Sequence, residues 1–151
     1  MPPVVIADAS CLILLQNIGA LDLLRQLFGQ VMVTDVVAKE YGLPLPAWLR
    51  VTAVQNPRQV QLLALTLDRG EASAIALALE QPDSLLIIDE RRGRAVAQQL
   101  QLDTTGTLGI LLRAKQKGHV AALRPLLEAI AATNFRLSAA LMQTVLKQAG
   151  E

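Results

Sequence analysis

At 151 residues, 52% of them hydrophobic and only 3% aromatic, the chain is long enough to bury a core of Leu, Ile, Val and Ala without disulfides or metals as staples. A formal net charge of +1 singles out no class of partner, because a balanced total hides separate acidic and basic patches. The one cysteine, Cys11, excludes an internal disulfide and a cysteine-rich metal site, and no apolar run approaches the ~18 residues of a membrane span.

One domain over residues 1–151 is expected, with no leader segment and a cytoplasmic location. In chain order, Val4–Ala7 is a short apolar run behind a proline, which predicts a strand buried on both faces. It ends on Asp8, and a helix is read from Cys11 onward. Helical spacing over Leu21–Phe28 stops at Gly29. Val31–Val33 is a second strand, and Thr34 or Asp35 can cap a helix through Val36, Val37 and Glu40. Gly42, Pro44 and Pro46 break that helix before a brief exposed strand at Arg50–Val54. Pro57 opens a helix ended by Asp68-Arg69-Gly70, and Glu71–Glu80 is an alanine-rich helix, apolar nearly all round and hence buried. Ser84–Ile88 is the strongest strand signal and runs into Asp89. A helix at Glu90–Leu100 and a weak strand near Leu102–Thr105 follow, then helices at Thr107–Lys117, Leu123–Ala132 and Ser138–Gln148. Strands alternating with helices predict a three-layer α/β/α sandwich around a mostly parallel sheet.

Most of the 13 acids have a surface explanation; Asp22, Glu80, Asp83, Glu128 and Glu151 are expected in solvent. Asp8 and Asp89 differ, because both terminate apolar strands and in a parallel sheet project from the same edge, where open α/β sheets place their chemistry. Glu40 follows the second strand, and Glu71 begins the buried helix. Converging carboxylates repel one another and are costly to bury, and hard Mg²⁺ or Mn²⁺ with oxygen ligands resolves both problems. Each acid also has a plainer role open to it. Asp68 and Glu71 fit a capping box, Asp8 or Ser10 can cap the first helix, Asp89 can cap the helix that begins at Glu90, and Glu40 can be a solvated helix end.

Taken together, DASCLILL (Asp8–Leu15), VVAKE (Val36–Glu40), DRGEASAIALALE (Asp68–Glu80), LLIIDERRGRAVA (Leu85–Ala97), GTLGILLRAKQKG (Gly106–Gly118) and FRLSAALMQTVLKQAGE (Phe135–Glu151) resemble the PIN-like family DUF3368. The likeness spans nearly the whole chain. It departs at Cys11, where proline or a small residue is usual, and at Gln101, where glycine is usual in a Leu-Gly-Leu step. The resemblance implies a PIN fold and a Mg²⁺- or Mn²⁺-dependent ribonuclease, often the toxin of a type II toxin–antitoxin pair. By position it implies Asp8, Glu40, Glu71 and Asp89 as the catalytic, metal-binding acids. It further implies an RNA substrate, a small cognate antitoxin and a homodimer. No histidine or serine triad competes for the chemistry, since the one histidine, His119, is expected to be exposed in a turn.

Ser10 is a candidate substrate contact or a cap. Arg91 and Arg92, directly after Asp89, and Arg69, before Gly70-Glu71, are candidate phosphate contacts, against the plainer reading of solvated helix faces. Arg94 is read with them, or as a structural partner of a site acid. Two other readings stay open: a PIN-like binding module without catalysis, and a different α/β enzyme. A haloacid-dehalogenase-like hydrolase wants an acid at Ser10, and a receiver domain wants a lysine near Thr104-Thr105-Gly106.

Overall fold

The computed structural model describes residues 3–151. The strands β1 (Val4–Ala7), β2 (Val31–Val33), β3 (Leu49–Val51), β4 (Ser84–Ile87) and β5 (Asp103–Thr105) form one sheet in the order β3-β2-β1-β4-β5, parallel throughout. β1 is central because its side chains are the most apolar on both faces. Val5, Ile6 and Ala7 are buried, as are all the residues of β4 beside it.

The helices are α1 (Ala9–Asn17), α2 (Asp22–Phe28), α3 (Asp35–Tyr41), α4 (Pro57–Leu63), α5 (Arg69–Leu79), α6 (Arg91–Gln99), α7 (Thr107–Gln116), α8 (Arg124–Ala131) and α9 (Ala139–Gln148). The chain steps outward from β1 to β3 and then back across to β4 and β5. Right-handed crossovers therefore put the first helices and α4–α6 on opposite faces, giving an α/β/α sandwich. α7 returns to pack on α1 and α2, while α5 lies along β1 and β4 between α4 and α6. No single described helix is long and apolar enough to cross a membrane.

The predicted elements are all present, with small shifts that have local causes. α1 starts at Ala9 rather than Cys11, because Asp8 is extended (φ −83°, ψ 159°) and the chain turns helical at once. β3 begins at the buried Leu49, where its register with Val31 starts, and ends at Val51. α5 opens two residues early, capped by Asp68. Thr34 caps α3, its hydroxyl accepting the Val37 N–H, and α3 ends in left-handed Gly42. His119 is exposed, as predicted.

Two acids expected in solvent are structural ties instead. The Glu80 carboxylate accepts the backbone N–H groups of Gln55 and Asn56, which pins the entry to α4 against the end of α5. Glu151 accepts from the Leu123 and Arg124 amides at the start of α8 and from Lys115 Nζ. Both bonds join residues far apart in sequence, which spacing along one helix does not reveal.

Candidate active site

β1 and β4 are hydrogen-bonded neighbours from Val4 opposite Ser84 to Ala7 opposite Ile87, and the Asp8 amide continues the ladder to Ile87 O at 3.0 Å. Asp8 and Asp89 therefore leave adjacent strands at the same carboxyl edge, one residue out of step. This is also where the strand order reverses, with β2 on one side of β1 and β4 on the other, the crevice in which such sheets bind ligands. Asp8 is only 3% exposed and makes no side-chain cap bond to α1. Asp89 does not cap α6 either. That role belongs to Glu90, whose carboxylate accepts the Gly93 N–H at 2.8 Å. Asp89 instead reaches across to α7, accepting the Thr107 N–H at 2.8 Å and the Thr107 hydroxyl at 2.6 Å.

α5 brings in Glu71 from the opposite layer. Asp68 Oδ1 accepts the Glu71 N–H at 2.8 Å, half of a capping box, but the reciprocal reach is not made. The Glu71 side chain turns into the fold, 6% exposed, and its Oε2 is buried with no hydrogen-bond partner. Glu40, on α3, is exposed and lies over the first turn of α5.

A glycine accommodates each of three acids. A Cβ on Gly93 would stand 2.6 Å from Glu71 Oε2, one on Gly106 would stand 2.7 Å from Asp89 Oδ1, and one on Gly70 would collide with the Glu40 carboxylate. A side chain at any of these positions would occupy the carboxylate's space.

The charges interact across this crevice. Burial, then repulsion from Asp68, Glu40 and Asp89, lifts the Asp8 carboxyl to about 7 against the pull of the Ala9 amide. Burial also lifts Glu71, to about 9, helped by the neighbouring Asp68 carboxylate and by the charges of Asp8 and Glu90. Glu40 is raised by desolvation and by Asp68, while Glu90 is lowered chiefly by the Gly93 amide it caps. Asp68, read from the sequence as a cap alone, is thus a neighbour of Asp8, Glu40 and Glu71 at once.

The donor set fits a hard divalent cation. It offers carboxylate oxygens only, it contains an orphaned buried oxygen, and two of its acids are held back from ionising by burial and by neighbouring carboxylates. Among the described residues, no three His, Cys, Asp or Glu side chains already close around a single point. Cys11 beneath them is fully buried, and burial pushes its thiol up, so it packs as a small apolar side chain.

The basic candidates disperse. Arg91 lines a cleft that opens at Asp89 and Glu90. Arg92 donates to Thr66 O at 3.3 Å and borders a hollow shared by Asp68, Glu71 and Glu90. Arg94 makes no ion pair with a described acid; it donates to Ile88 O through Nη2 at 3.0 Å and so buttresses the residue before Asp89. Arg69 faces a different hollow, with Asp35, Ala53 and Val60, and is not gathered with the acids. Ser10 is exposed on α1 and borders a shallow depression with Asn17 and Phe135.

Residues not singled out from the sequence complete the site. They are Thr107, Glu90 and the glycines 70, 93 and 106. The glycines stand in DRGE, DERRG and TTGT, and only the fold shows which of them faces which acid.

No curated protein matches the chain. The family model DUF3368, described as a PIN domain, matches residues 4–151. PIN domains are nuclease-type folds that typically use divalent metals, and the all-oxygen acidic crevice at the sheet's switch point accords with that. By a match that covers nearly its whole length, the chain belongs to the DUF3368 family of PIN domains.

Proposed function

We propose that this chain is a Mg²⁺- or Mn²⁺-dependent endoribonuclease, the toxin of a type II toxin–antitoxin pair, with Asp8, Glu40, Glu71 and Asp89 as the catalytic, metal-holding acids. The observation that carries the reading is Glu71 Oε2, a buried carboxylate oxygen with no partner, set among other acids at the switch point. Leaving such an atom unpaired costs about 1–3 kcal/mol, more when it is charged, and a cation removes that cost. When bound, the ion supplies an activated water and neutralises charge on the phosphoryl oxygens. The chain's own residues do the rest. Thr107 fixes Asp89, the Arg94 guanidinium fixes the carbonyl of Ile88, and Gly93 leaves room for Glu71.

The test is cleavage of a pool of structured and single-stranded RNAs with and without Mn²⁺. Cleavage that needs Mn²⁺ and is abolished by Asp89→Asn and by Glu71→Gln, but not by Glu128→Gln on the exposed face of α8, is the expected result. Cleavage unaffected by Glu71→Gln would remove that residue from the site. For the toxin role, a small protein encoded beside this chain is expected to inhibit at one-to-one stoichiometry.

The open spacing of the acids supports a second reading, a PIN-like module that recognises RNA or protein without cutting. Thermal melts unaffected by Mn²⁺, together with intact RNA binding, would favour it.

A further inference from the structure

A cleft of about 1020 Å³ opens at Asp89 and Glu90 and runs between α6, β5, α7 and α9. That is at or beyond the ~300–1,000 Å³ of ordinary small-molecule sites, so it suits a length of chain better than a single compact ligand. Its lining mixes Arg91, Arg94 and Arg136 and polar residues such as Gln98 and Gln148 with the apolar Leu108, Phe135 and Val145.

The two acids at its mouth are already engaged, Asp89 by Thr107 and Glu90 by the Gly93 amide. Arg94 is held by Ile88 O. Arg91 and Arg136 are exposed, and neither pairs with an acid among the described residues, whose ion pairs are Arg25 with Asp22 and Lys115 with Glu151. Unpaired guanidinium groups in one cleft with an aromatic ring and apolar side chains match the two chemistries of single-stranded nucleic acid, phosphate and base. Asp89, one of the four proposed site acids, lies on the cleft's lining, so a strand held at Asp89 can continue into it.

We propose that this cleft is the track for the RNA strand on one side of the cleaved bond. Arg136 and Arg91 take backbone phosphates, and Phe135 offers its ring to a base. This rests on the ribonuclease reading above for the location of the cleaved bond, but binding alone can test it.

The probe is a fluorescein-labelled single-stranded RNA of about 12 nucleotides, followed by anisotropy in chelator over a series of NaCl concentrations. Arg136→Ala and Arg91→Ala are each expected to weaken binding about fivefold and to flatten the log–log salt dependence by roughly 0.7. Phe135→Leu keeps the position apolar and is expected to weaken binding with the salt slope unchanged. Arg113→Ala, exposed on α7 and not lining the cleft, is expected to alter neither.

Unchanged affinity and slope in Arg136→Ala and Arg91→Ala would overturn the track. If the wild type still cut RNA, the nuclease reading would stand without it. The arginine effects appearing in a protein that cuts no RNA would support the track while sinking the nuclease reading. Arginine variants that lost inhibition by a cognate protein but bound RNA normally would assign the cleft to that protein and overturn the proposal.

Discussion

Glu71 is where burial and charge conflict most openly. At neutral pH its carboxyl is held protonated by burial and by neighbouring acids, with its midpoint near 9. Gln imitates that neutral form, so metal-free Glu71→Gln is expected to melt at or above the wild-type temperature while losing all Mn²⁺-dependent cleavage. A variant that unfolds early would mean that the carboxyl is structural.

The glycines facing the acids give a sharper pair of tests. At Gly93 a methyl would meet Glu71 Oε2 at 2.6 Å and Ile88 Cδ1 at 2.7 Å, both inside the core. Gly93→Ala is expected to cost about 1–3 kcal/mol, as overpacking does. At Gly70 the methyl meets only the carboxylate end of Glu40, an exposed and flexible side chain that can swing away. Gly70→Ala should therefore gain up to ~1 kcal/mol from helix propensity yet lose metal response, because Glu40 is displaced. Urea denaturation with and without Mn²⁺ reads both effects. A Gly70→Ala protein with wild-type metal response would take Glu40 out of the site.

Among the elements, the start of α7 matters most, because it holds Asp89 with two hydrogen bonds from Thr107, a residue with no exposed surface. Thr107→Val keeps the shape and the amide but deletes the hydroxyl bond, and should destabilise by roughly 1–2 kcal/mol and slow cleavage. Full cleavage by this variant would mean that Asp89 needs no positioning.

The turn between α6 and β5 holds a simpler prediction. Gln101 has φ +63° and is the one non-glycine left-handed residue among those described. Gln101→Gly should raise stability by about 0.5–1 kcal/mol, checked by thermal denaturation.

These elements also show where sequence reading runs out. The sequence offered Asp89 as the cap of a helix beginning at Glu90, but the helix starts one residue later and Glu90 takes the cap. Asp89 is then claimed by Thr107, a partner 18 positions away that no local pattern announces. The same holds for Glu80 and Glu151, whose amide partners lie 24 to 28 positions off. Strands, by contrast, were legible because each apolar run stops at a polar or turn residue, and β1 and β4 stop at Asp8 and at the residue before Asp89. Gln101 was legible as a departure from the family pattern, and its backbone explains why glycine is usual there.

At the scale of the whole molecule, a parallel sheet whose strand order reverses at β1 brings carboxylates from the ends of β1 and β4 and from α3 and α5 to one crevice, where no ion pair among the described residues offsets their repulsion. Linkage gives this a measurable sign. Asp8 and Glu71 have folded pKa values above their unfolded ones, so protonation favours folding. Their contribution is full below the unfolded values near ~4 and is lost as pH rises through about 7 for Asp8 and about 9 for Glu71. The depressed carboxylates, Asp22, Glu90 and Glu151, act in the opposite sense and only toward acid pH. Above pH ~5 the raised pair therefore sets the slope, and metal-free protein should lose stability as pH rises to 9. A flat profile would mean that the acids do not crowd one another.

The most direct measurement pairs wild type with Asp8→Asn in thermal melts at pH ~8, first in chelator and then in saturating Mn²⁺. At that pH Asp8 is mostly ionised in the folded wild type, and Asn removes the charge with almost no change of shape. The expected result is that metal-free Asp8→Asn melts higher, by the equivalent of roughly 1 kcal/mol, and that this difference narrows as pH falls from ~8 and closes only below the unfolded carboxyl value near ~4. Mn²⁺ should raise the wild-type midpoint, as a ligand of the folded state must, and should barely move the variant. A variant that melts lower than wild type in chelator, with an undiminished response to Mn²⁺, would contradict the claim that Asp8 belongs to a metal-binding crevice.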